Sequence, residues 1–121
     1  MAFTISKFNR TKLFDFTAPE GFEYKSLEQA KEIKDIFPVR AVYINTKSKY
    51  GDAPVMATDE FFINLPKHQL DSVKSIMADS EAVHAINAGL VAIQIYDYEK
   101  DGKTYQGVNW KDIDEQGNII D

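Results

Sequence analysis

Three tyrosines near the end of the 121-residue sequence, Tyr96, Tyr98 and Tyr105, flank Asp101-Gly102 at spacings that give them a common face. Asp-Gly favours a two-residue type I′ turn, in which both central residues take positive φ. That turn pairs Lys100 with Lys103 and, counting back, Tyr98 with Tyr105, Tyr96 with Gly107 and Gln94 with Asn109. The other face pairs Asp97 with Gln106, Ile95 with Val108 and Ile93 with Trp110, so one register sorts an apolar core face from a tyrosine face. A three-residue loop with Gly102 in a bulge shifts the pairing by one and mixes the faces. Gly107 opposite Tyr96 leaves open space beside that ring. Exposed tyrosines are platforms for flat π-systems, because the ring stacks while the hydroxyl tolerates water. Cations stand upstream: Arg40, then Lys47 and Lys49 beside Tyr50 in the loop TKSKYGD. Rings for bases and cations for phosphates are what holds a single strand of nucleic acid without reading its sequence. The competing readings are an outer sheet face covered by the N-terminal extension and an ordinary solvated turn.

Other chemistry finds less support. There is no cysteine, which excludes disulfides and thiolate sites. His68 and His84 lie on separate expected helices without partners at metal-ligand spacing. Asp97 to Gly102 resembles the start of a calcium loop, but the twelfth position, where a bidentate Glu is needed, is Val108. Asp97 and Glu99 with nearby lysines would suit a metal-dependent nuclease, yet charged residues beside an exposed turn need no special cause. No phosphate-cradling glycine loop or nucleophile elbow occurs. The expectation is a protein without cofactor, metal site or catalytic residues.

The elements that must position these residues follow from periodicity. Residues 2–8 and 11–16 are Phe-rich and alternate, as short strands do, before a turn at Pro19-Glu20-Gly21. Ser26 and Gln29 form a capping-box pattern, and Leu27, Ala30, Ile33 and Phe37 recur at helical spacing, predicting a helix over 26–36 that Pro38 stops. A strand over 38–45 runs into the lysine loop. Residues 53–57 and 60–64 read as two arms of a bent strand or two short strands, broken at Thr58-Asp59. Helices follow from Pro66 to Asp79 and from Ser80 to Gly89, then the hairpin 90–110. Over 38–110 this order fits a five-stranded Greek-key barrel of the oligonucleotide-binding type, mainly β with a helix between strands 3 and 4. Residues 1–37 are then an extension with a short helix, 38–111 the barrel core and 112–121 an acidic tail, all within one domain. A generic α+β sandwich is the fallback. In such a barrel the first inter-strand loop borders the binding face, which makes Lys47, Lys49 and Tyr50 a clamp.

Charge sharpens the picture. The net charge of −5 speaks against a broadly basic duplex binder. By position, residues 1–58 carry nine Lys/Arg against seven Asp/Glu, and residues 59–121 carry five against twelve. An acidic total thus hides a basic segment. No apolar run has the length of a membrane span or a signal peptide, so a cytoplasmic location without a membrane partner is expected.

The segments YINTKSKYGDAPV, FFINLPKHQLDSVKSIM and AINAGLVAIQIYDYEKDGKTYQGVNW, within Val39–Trp110, resemble the small single-stranded DNA-binding proteins of phages of low-GC Gram-positive bacteria, lactococcal phages especially. The resemblance implies an oligonucleotide-binding fold (OB-fold), sequence-independent binding of single-stranded DNA, a role in phage DNA replication or recombination, and self-association into a dimer or higher oligomer. It also implies a location in the host cytoplasm. Proteins of this functional class often end in an acidic tail that recruits replication or recombination partners, and DIDEQGNIID is similar in composition. It lacks the Pro-Phe ending of the bacterial pattern, and Gly117-Asn118 could instead turn the chain into a last strand. The rival from another class is an acidic phage interaction protein, a nucleic-acid mimic that inhibits a host enzyme through its carboxyl-rich half.

Overall fold

The computed structural model describes residues 13–46 and 51–120, and the expected strand at 2–8 lies outside them. Among the described residues the strands are β1 (Tyr24–Ser26), β2 (Ile36–Pro38), β3 (Ala41–Asn45), β4 (Ala53–Ala57), β5 (Phe62–Asn64), β6 (Val91–Lys100), β7 (Lys103–Ile113) and β8 (Ile119–Ile120). The helices are α1 (Leu27–Ile33), α2 (Leu70–Ala78) and α3 (Ser80–Asn87), with a 3₁₀ turn at Lys67–Gln69 ahead of α2. The fold is mainly β with helices, in two four-stranded sheets ordered β1-β5-β4-β3 and β2-β6-β7-β8. None of the described helices is long and apolar enough to cross a membrane.

The expected closed five-stranded barrel is not what these ladders form. The reason begins at 38–45, expected as one strand, which bends at Val39-Arg40. Val39 N–H donates to Val91 O (2.9 Å), and Arg40 N–H donates to Ala57 O (2.9 Å). One bent strand therefore serves both sheets and joins them along one side. On the opposite side α1 packs against β1, β5, β6 and β7, between the two sheets, where a further ladder would have to form to close a barrel.

Local chemistry explains most boundaries. Ser26 Oγ accepts from Gln29 N (3.2 Å) and Gln29 Oε1 accepts from Ser26 N (2.9 Å), the reciprocal cap of α1. The helix stops at Ile33, short of the expected residue 36. Pro38 disfavours helical backbone at Phe37, and Ile36 and Phe37 pair instead with Gln94 and Ile93 of β6. Phe37, assigned to the helical stripe by its spacing, is a strand residue 1% exposed. Thr58 makes the β4–β5 turn, its Oγ1 donating to Phe61 O (2.9 Å) and accepting from the N–H groups of Glu60 and Phe61 (3.1 Å each). That yields two short antiparallel strands. Asp79 caps α3 by accepting from Glu81 N and Ala82 N.

One further expectation changes, and of the two readings of the C-terminal stretch the last strand is the one that forms. Residues 13–16 are bends and irregular chain, not part of a strand. Their backbone is tied to a side chain, Asp15 N donating to Asn87 Oδ1 (2.9 Å) and Asn87 Nδ2 to Leu13 O (3.2 Å), while Phe14 is buried in the core. The acidic stretch after Lys111 folds back on the sheet. Asp114 Oδ1 accepts from Gln116 N and Asn118 N (2.9 Å each), and Ile119–Ile120 pairs with Asp112–Ile113. The core fills the space between the sheets, with Val42, Met56 and Ile63 from one and Phe37, Ile93 and Ile95 from the other, capped by Val73 and Ile86 of the helices.

Candidate nucleic-acid interface

The hairpin adopts the expected register throughout, Tyr98 opposite Tyr105 and Tyr96 opposite Gly107. Asp101 (φ 53°) and Gly102 (φ 77°) are both left-handed, as a type I′ turn requires. Tyr96, Tyr98 and Tyr105 are 41%, 37% and 41% exposed, large values for rings on a strand. Tyr98 and Tyr105 stack with centroids 5.7 Å apart at 28°, and Tyr96 lies 6.1 Å from Tyr98 at 44°. The space expected beside Tyr96 is filled by its own ring: a Cβ on residue 107 would sit 2.5 Å from it, so Gly107 is the seat on which the ring rests. Alternation along both strands places Lys100 and Lys103, opposite one another at the tip, on the tyrosine face. Both are exposed, and neither forms an ion pair with another described residue.

On the opposite face of the hairpin Asp97 is held by two partners. Gln106 Nε2 donates to Asp97 Oδ1 (3.0 Å), and Lys31 bridges Asp97 (3.7 Å) and Asp35 (3.4 Å). Among the described residues no group of three His, Cys, Asp or Glu side chains could hold a metal ion.

Arg40 is paired with a carboxylate. Its guanidinium holds Asp59 in a forked pair, Nε to Oδ1 at 2.6 Å and Nη2 to Oδ2 at 3.2 Å. That hydrogen bond raises the guanidinium pKa further, against the lowering effect of partial burial. Arg40 lines a depression with Asp15, Phe16, Ile86 and Asn87, and its charge is already partly neutralised there by Asp59. Lys47, Lys49 and Tyr50 lie outside the described residues; the strand ends that border their loop are Asn45 and Ala53, which face each other across the ladder.

A second aromatic cluster was not anticipated from the sequence. On the outer face of the first sheet Tyr24 stacks on Phe62 (4.8 Å, 28°), and Tyr43 meets Phe62 edge-on (6.1 Å, 76°). With Ile44, Asn45 and Val55 these rings line a depression of about 310 Å³. Tyr24 is 57% exposed. Burial, with a smaller contribution from Tyr24, pushes the Tyr43 hydroxyl pKa above its usual value of 10.0. Part of the Phe-rich extension builds the rim, with Phe22 against Phe62 and Phe16 against Phe22. Alternation in AVYIN points Tyr43 outward, which is a sequence signal. Tyr24 has none, because its position depends on parallel pairing with β5 far along the chain.

The two clusters belong to one surface. Tyr43, Val55, Asn64 and Ser26 are cross-strand neighbours in a row, which spans about 14 Å at the usual strand separation. Tyr43 and Val55 line the first depression. Asn64 and Ser26 line a groove of about 410 Å³ whose far wall is Tyr98 and Tyr105. An aromatic, polar, aromatic track thus crosses from β3 to the hairpin. No family model matches the chain, and no curated protein or solved structure matches it.

Proposed function

We propose that the protein binds single-stranded DNA without sequence reading and without catalysis, the strand lying along the track from Tyr43 to Tyr105. The continuity of the two exposed aromatic clusters across one row of the sheet carries this reading. An extended strand needs successive platforms along a path, and isolated surface tyrosines would not supply one. If each stacked base contributes about 1–3 kcal/mol, three or four rings sustain binding that a few cations alone would not. Lys100 and Lys103 at the hairpin tip serve as phosphate contacts, joined by Lys47 and Lys49 from the loop beyond Asn45. The order of β3, β4, β5, two helices and the β6–β7 hairpin, with a bent strand shared by both sheets, supports an OB-fold in which α1 occupies the unclosed side. A role in phage replication or recombination, self-association and a cytoplasmic site of action rest on the sequence resemblance.

A titration of Tyr and Trp110 fluorescence with dT oligomers at low and moderate salt tests the proposal. Quenching that saturates at a defined oligomer length, weakens with salt and is lost in the Tyr96→Ala/Tyr105→Ala double variant is the expected result. A flat titration at both salt concentrations would overturn it in favour of an acidic mimic. Strand cleavage with Mg²⁺ that vanishes in Asp97→Asn would overturn the noncatalytic part.

A further inference from the structure

Between its two aromatic ends the track is polar, and its polar groups are unequal. The groove beside Tyr98 and Tyr105 is lined by Glu28 and Gln106, with Ser26, Asn64 and His68 nearby. Gln106 spends one of its two Nε2 hydrogens on Asp97 (3.0 Å) and so keeps both a donor and its carbonyl oxygen, favouring no base by itself. Glu28 forms no ion pair with another described residue, and a carboxylate, when ionised, offers acceptors only. A carboxylate also repels phosphate, so the part of a nucleotide that suits this groove is the edge of its base. A base stacked on Tyr98 or Tyr105 would bring that edge toward the Glu28 carboxylate, the one group of the pair that cannot donate. Cytosine, adenine and guanine carry exocyclic amines that donate outward, whereas thymine has a carbonyl oxygen where cytosine has its amine, and its one donor, N3–H, sits between two carbonyl oxygens that a carboxylate repels.

We infer that this groove favours a base with an exocyclic amine over thymine, and that Glu28 sets the preference. The inference rests on the single-stranded DNA reading and adds a compositional bias to it. Oligomers of 5-methyl-dC and of dT isolate the feature, because the two bases share the methyl group and differ at the amine and the ring nitrogen beside it. Binding to the parent protein at neutral pH should be roughly three- to tenfold tighter for 5-methyl-dC, the range expected for one hydrogen bond to a charged acceptor at a partly solvated site. In Glu28→Gln and Glu28→Ala the ratio should fall toward one while dT binding is retained or strengthened. Circular dichroism checks that each variant is folded. Equal binding of both oligomers by the parent, or an unchanged ratio in both variants, would overturn the inference and leave the single-strand reading standing. Binding of neither oligomer by the parent would remove that reading and the inference with it.

Discussion

Truncating Tyr105 to alanine should separate binding from folding. The ring is 41% exposed and stacks on Tyr98 at 5.7 Å and 28°. Loss of that stacked pair removes about 0.5–1.5 kcal/mol of stability beyond the area term. No cavity opens at so exposed a position, in contrast to Phe37, 1% exposed, where truncation to alanine should cost about 3–5 kcal/mol. Binding loses more than folding does. The base seated on Tyr105 loses its platform and Tyr98 loses the neighbour that holds its plane, which together remove about 1–3 kcal/mol. The dissociation constant should rise roughly 5- to 150-fold. Urea unfolding followed by Trp110 emission gives the first quantity, and anisotropy of a labelled dT oligomer gives the second. A dissociation constant within about twofold of the parent's, together with a loss of stability, would refute the reasoning, since the ring would then only staple the hairpin.

Three other outcomes follow from particular contacts. Gly107→Ala puts a methyl group where the Tyr96 ring rests, so the ring must swing away. Binding should weaken about as much as in Tyr96→Ala, and the double variant should show little added loss, read as a coupling in a double-mutant cycle. The Lys100→Gln/Lys103→Gln variant should flatten the slope of log K against log salt by about 1.4, two phosphates' worth on a single strand, in titrations at several salt concentrations. The Tyr43 hydroxyl ionises at a higher pH in the folded chain than its usual 10.0. Its contribution to stability is therefore fully present below pH 10 and lost as pH rises through the folded value. Tyr43→Phe should remove that part of the alkaline decline in urea unfolding between neutral and strongly alkaline pH.

The hairpin was legible because everything that specifies it is local. Asp101-Gly102 sets the turn, and strict alternation on both arms then fixes which residues face the core. The same locality explains the capped start of α1 and the strand at 53–57. The end of α1 is not local in this way, because Phe37 satisfies a helical spacing and a strand pairing equally well, and only Ile93, far downstream, decides between them. Arg40 looked like a cation available for phosphate because its partner, Asp59, belongs to a turn on another strand. The Tyr24 and Phe62 platform needed a parallel pairing that no local pattern announces. Barrel closure depended on where α1 would dock, and its apolar stripe does not specify between which strands it lies.

The strand bent at Val39-Arg40 also bears on the order in which the chain can fold. β3 can zip onto β4 once a short loop closes, whereas β2, immediately upstream, must wait for Ala92–Gln94, nearly half the chain later. Pairings so distant in sequence form late, because loop-closure entropy precedes their reward. A nascent or truncated chain ending before Val91 would hold Ile36–Pro38 as a bare edge with Phe37 uncovered, the kind of edge that recruits strands from other molecules. The hairpin that turns its tyrosines outward thus also covers, along its β2 side, the edge that an unfinished chain leaves open.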